Sequence, residues 1–178
     1  MASIDSLRTL LVEELRGLYD AEQRLTKAIP KLVEASSNGE LIQALNNHEA
    51  ETEQHALRLE QAFADLGEDV KSETSDGIKG LISEADDIAG EDYDEPGLCD
   101  AAIIGAAQRV EHYEIAAYGT AIVHARLVGQ AEIVRLLEAT LAEEKNADRT
   151  LTNIAERVVN LEASNLPRET GAHRRTTI

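Results

Sequence analysis

Residues 98–127, LCDAAIIGAAQRVEHYEIAAYGTAIVHARL, constrain this chain more than any other segment. Alanine, isoleucine, valine and leucine run nearly all the way round the helix that this spacing predicts, so it must be buried on more than one side. Glu111 and Glu114 sit at its centre, on one helical face. Two like charges there repel slightly, and burial makes the cost far larger. Any fold for this chain must supply something that balances them.

Three other long helices are predicted around it. The first covers about 3–36, where Leu7, Leu11, Leu15, Leu18, Leu25 and Ile29 recur at helical steps and Glu22 fills the one gap. Ser3 or Asp5 is placed to cap its start, and Pro30 is expected to kink it or end it early. "SSNG" (36–39) reads as a tight connection. The second long helix covers about 40–66, with Leu41, Leu45, His48, Glu51, His55, Leu59 and Ala62 inward. A polar loop, a short amphipathic helix (78–90) and an acidic break (91–97) then lead to 98–127, which Gly129 stops. The last long helix covers about 131–161, its face of Ile133, Leu137, Leu141, Leu151, Ala155 and Val158 interrupted by Glu144 and Asp148. Residues 163–178 lack periodicity and are expected to be mobile or docked on a partner. The expected fold is all-α: a ferritin-like antiparallel four-helix bundle over 3–162, with one long crossover carrying the short extra helix.

Composition narrows the function classes. A formal charge of −17 argues against nucleic acid and against an anionic membrane surface. Cys99 is the only cysteine, which fits a reducing compartment. The N-terminal stretch lacks a basic region followed by a long apolar run, and no apolar run is long enough to span a bilayer. A cytoplasmic protein is expected.

Each long helix carries an acidic residue near its midpoint: Glu22, Glu51, the Glu111–Glu114 pair, and Glu144. In an antiparallel bundle these meet at one level. Ionised carboxylates in an apolar core need compensation, and two divalent cations would supply it. Hard oxygen donors with a few imidazoles suit iron first and manganese second. Di-metal bundles usually combine single glutamates with Glu-x-x-His pairs. Here the residues four beyond Glu51 and Glu144 are His55 and Asp148, so both pairs still share a face. The candidate metal ligands are Glu22, Glu51, His55, Glu111, Glu114, Glu144 and Asp148, with His48 as a second imidazole on the same side. Glu13, Glu14, Glu49, Glu53 and Glu143 read as solvated neighbours. Tyr19, Tyr113 and Tyr118 read as core packing, and His112 points away from the ligand face.

Four blocks, "LYDAEQRLTKAIPKLVEAS", "HEAETEQHALRLEQ", "QRVEHYEIAAYGT" and "LEATLAEEKNADRTL", together resemble the YciE/YciF family of bacterial stress-associated ferritin-like proteins. The similarity runs over nearly all of residues 4–160, and the Pro30 position belongs to the pattern. The resemblance implies a rubrerythrin-like fold, a dimer, and a dinuclear metal site formed by Glu22, Glu51, Glu111, Glu114 and Glu144.

The function expected is that of a di-metal carboxylate protein, a ferroxidase or an oxidoreductase that meets dioxygen or hydrogen peroxide. The alternative is a non-catalytic bundle with a degenerate metal site, acting as a structural or binding module. A homodimer is the expected assembly, because the long helices carry more apolar surface than one bundle needs.

Overall fold

A computed structural model describes residues 4–164; the rest of the tail expected at 163–178, and Ser3, lie outside the described residues. Helix α1 runs Leu7–Ala35 and starts one residue later than Asp5 would set it: Ser6 is the N-cap, and its hydroxyl accepts from the Thr9 amide at 3.1 Å. Pro30 does not end the helix, which continues for another turn. Pro30 lies on the exposed side, where a carbonyl freed by the missing N–H can turn to water.

Helix α2 runs Gly39–Leu66 behind an Asn38 cap and stops at Gly67, whose φ of 67° is left-handed. The short turn between α1 and α2 forces them antiparallel. Asp100 fixes it from another helix, accepting from the amides of Ser37 (2.8 Å) and Asn38 (3.0 Å) and from the Ser37 hydroxyl (2.6 Å). The crossover carries α3, Asp76–Gly90, which lies against α1 and α4. Helix α4 runs Pro96–Leu127 with proline in its first turn, and Gly129 takes a φ of 77° at the turn beyond its end.

Helix α5 runs Ala131–Ile154 and passes through a π-helical turn, Ala155–Val159, into a last short helix α6, Asn160–Ala163. The π turn explains one difference from the sequence reading. It adds a residue to the turn and rotates the chain beyond it, so Val159 is buried where Val158 was expected.

The long helices pack in a square, α1 beside α2 and α4, and α5 beside α2 and α4. This is the ferritin-like antiparallel bundle with one long crossover, and no strand occurs among the described residues. No described helix is long and apolar enough to cross a membrane. Two apolar cores fill the square. One gathers Leu25, Ile29, Leu45, Ile103, Val110 and Leu151; the other gathers Leu11, Leu15, Leu59, Phe63, Ile122 and Leu137. A buried polar layer separates them.

Candidate metal centre

The polar layer comes from all four long helices. Helix α1 gives Glu22, α2 gives His48 and His55, α4 gives Glu111 and Glu114, and α5 gives Glu144, all of them buried. Their donor atoms form two groups, each within 4.8 Å: Glu22, His55 and Glu144; and His48, Glu111, Glu114 and Glu144. Glu144 belongs to both.

The first group is tightly held. His55 Nδ1 lies 2.9 Å from Glu144 Oε1 and 3.5 Å from Glu22 Oε2. On the other side of the ring, Nε2 meets Glu143 Oε2 at 2.9 Å. Arg58 grips Glu143 with both terminal nitrogens and reaches Thr140 at 3.2 Å. The Tyr118 hydroxyl donates to Glu22. The second group has fewer partners. His48 Nε2 lies 3.2 Å from Glu111 Oε1 and 3.8 Å from Glu144 Oε2. Both oxygens of Glu114, and one of Glu111, are buried without a hydrogen bond.

The electrostatics come from burial and from like charges. Burial pushes Glu114 well above the usual carboxylate range, with Glu22 and Glu144 adding to it. Burial and Glu144 do the same to Glu111. Burial also raises Glu22, against the pull of His55. Glu144 is the exception: burial works to raise it, but His55 and His48 hold it below its ordinary value. Burial works to lower His55, yet Glu144 and Glu22 outweigh that and bring it up to about 10. Tyr118 is pushed well above its usual value by burial and by the carboxylates Glu22 and Glu114.

The donor set fits divalent cations. Buried atoms without hydrogen bonds include Glu22 Oε2, His48 Nδ1, His55 Nδ1, Glu111 Oε2 and both oxygens of Glu114 and Glu144. Such atoms are costly in a core unless something neutralises them. Mixed oxygen and imidazole donors suit iron or manganese by type.

Of the residues singled out in the sequence, Glu22, His55, Glu111, Glu114 and Glu144 come together, and His48 joins them. Glu51 and Asp148 lie outside both groups. The inward line of α2 runs Leu45, His48, Thr52, His55, Leu59, so Glu51 falls beside it and its side chain stays 37% exposed. Asp148 accepts from Gln108 Nε2 at 2.9 Å and lies 3.4 Å from His112, which draws it to the outer side of α4. Glu143 is no solvated neighbour but the outer partner of His55. The signal was available: Arg58 is one turn beyond His55, and Glu143 adjoins Glu144.

An all-α bundle with a buried carboxylate–imidazole layer that could hold a metal ion is thus the class defined here. Residues 6–164 match the family described as a domain of unknown function, DUF892, and the chain belongs to that family. It is 37% identical over 164 residues to Protein YciF of Escherichia coli K12, covering 92% of this chain and 98% of the relative. The crystal structure of the E. coli stress protein YciF superposes with a TM-score of 0.84, at 37% identity, over 88% of this chain and 99% of that one. YcfI from Rhodopseudomonas palustris, described as a candidate structural protein, gives 0.83 at 44% identity, over 87% of this chain and 99% of its own.

Proposed function

We propose that the polar layer holds two divalent cations, iron first and manganese second, and that the protein reacts with a small oxidant as a ferroxidase or peroxide-consuming oxidoreductase. The observation that carries this reading is the set of buried, unpartnered carboxylate and imidazole atoms in two groups sharing Glu144. Glu22 and His55 would hold one ion, His48, Glu111 and Glu114 the other, and Glu144 both. When bound, two ferrous ions would supply the two electrons that reduce one hydrogen peroxide, with two protons, to water. Tyr118 steadies Glu22, and Glu143 fixes the His55 ring. The flanking apolar cores cover the layer along the bundle axis on both sides.

The protein is read as a cytoplasmic homodimer without nucleic-acid or membrane partners. The −17 charge and the exposed Leu127 and Val123 favour that reading.

Anaerobic Fe(II) loading of protein purified without chelators, followed by metal analysis, tests the proposal. Two ions per chain are expected, with Fe(II) oxidised on adding peroxide faster than in buffer. A second reading, a non-catalytic bundle, draws on the description of the R. palustris relative. Binding without accelerated oxidation selects it, and failure to bind about two ions overturns the metal centre.

A further inference from the structure

A cavity of about 110 Å³ lies between α2 and α5, room enough for several waters. Asn47 and Glu51 of α2 and Asn146 and Ala147 of α5 line it, and His48 and Glu111 form its inner end. It therefore ends on two donors of the His48 group. His48 is only 7% exposed, yet its Nδ1 has no hydrogen-bond partner. That nitrogen lies 3.6 Å from Glu51 Oε2, while Nε2 on the same ring lies 3.2 Å from Glu111 Oε1. One imidazole thus spans from a half-exposed carboxylate to the buried layer.

The other sides offer a cation less. Arg58 and Glu143 close the outside of His55, and Arg58 adds a positive charge there. The other cavity reaching His48 and Glu111 holds about 30 Å³ and is otherwise lined by apolar residues such as Leu25, Leu45 and Ile82. A cation there would shed water and meet no donor before His48 and Glu111. The α2–α5 cavity offers exposed amides and a half-exposed carboxylate, with the buried His48 imidazole beyond them.

We infer that this cavity is the way in for divalent cations: Glu51 takes the partly hydrated ion at the mouth, and His48 receives it ahead of Glu111. The inference rests on the reading that the buried layer holds cations. It also gives Glu51 work that does not require it to join the final ligand set.

Co(II) uptake, followed by stopped-flow absorbance with a final metal count, provides the test. Glu51→Gln removes the charge at the mouth, and Ala147→Leu fills the cavity. Glu51→Gln is expected to slow uptake by about tenfold, in the range that local electrostatic focusing gives, and Ala147→Leu is expected to slow it by obstructing the cavity, with the final count unchanged in both. Glu53→Gln removes the same charge from an exposed site on α2 and is expected to load at the wild-type rate. A lower final count at an unchanged rate in Glu51→Gln would make Glu51 a ligand and overturn the inference. Wild-type rates in both variants would overturn it too. Wild-type protein that takes up no cobalt fails the underlying reading and the route with it, so the two failures are told apart.

Discussion

His48 and His55 lie about two turns apart on α2, yet their outward nitrogens have opposite fates. His55 Nε2 meets Glu143 at 2.9 Å, and Arg58 holds Glu143 in turn. His48 Nδ1 has no hydrogen-bond partner, and the nearest carboxylate, Glu51, is 3.6 Å away. The carboxylates repeat the contrast. Glu22 takes a hydrogen bond from Tyr118, whereas both oxygens of Glu114 take none. One half of the layer is partly built in advance: the protein holds the outer nitrogen of His55 and one oxygen of Glu22. The other half is left to be balanced by protons or cations, and it is the half that the α2–α5 cavity reaches. If the layer holds cations as proposed, the Glu22–His55 half would be the more rigid position and the His48 half the more adaptable one.

The comparison collapses if the shared carboxylate is removed. Glu144→Ala is expected to abolish binding in both halves, with affinity falling by more than the ~100-fold that loss of an outer partner costs. Competition with a chromophoric chelator measures it. One ion retained at wild-type affinity would show that Glu144 is not shared.

The double change Glu111→Gln with Glu114→Gln separates the halves. One ion per chain is expected, kept by Glu22, His55 and Glu144, and mass spectrometry under native conditions counts it. The same residues set a pH dependence. Burial lifts Glu111 and Glu114 above their unfolded values, so between those values the folded chain holds more protons than the unfolded one. Their contribution to metal-free stability is therefore present below the ordinary carboxylate range and is lost as pH rises through their folded values. Metal works the other way, since cations displace these protons and bind more tightly as pH rises. Urea titrations of the chelated wild type from about pH 5 to about pH 8, above the ordinary carboxylate pKa of about 4.3, are expected to show a decline. The double variant is expected to flatten it, and an unchanged slope would sink the assignment.

Breaking the outer hold on His55 has a smaller effect. Glu143→Ala is expected to weaken the Glu22–His55 half by about 10–100-fold, the usual cost of losing a partner behind a ligating imidazole. Glu143→Gln keeps an acceptor and should recover most of it. The His48 half should keep its affinity, because Glu143 does not touch it. Co(II) titration of each variant reads the two affinities separately.

The sequence made the fold legible because four apolar stripes, a tight "SSNG" turn and one long connection leave few ways to close a core. The carboxylates were legible for the same reason: Glu22, Glu111, Glu114 and Glu144 interrupt stripes that are otherwise apolar. The features that stayed hidden depend on rotation about a helix axis. Glu51 and His48 are a turn apart, and only packing against α5 decides which of them faces inward. Val158 and Val159 exchange places because a π turn leaves no plain mark in the residues. Glu143 looked like surface because its partner, Arg58, belongs to a different helix.

The smallest expected effect is the most specific to the prebuilt half. Tyr118→Phe removes only the hydroxyl that donates to Glu22 and keeps the ring that packs among Ile122, Leu59 and Leu137. One hydrogen bond to a charged group contributes roughly 1.5–3 kcal/mol, and part returns when a cation neutralises Glu22. The metal-free variant is therefore expected to lose more stability than the metal-loaded one. Thermal denaturation with and without saturating Mn(II) compares them. Equal losses in both states would mean that the Tyr118 hydroxyl acts independently of any cation at Glu22, and the distinction between a prebuilt and an adaptable half would then rest on Glu143 alone.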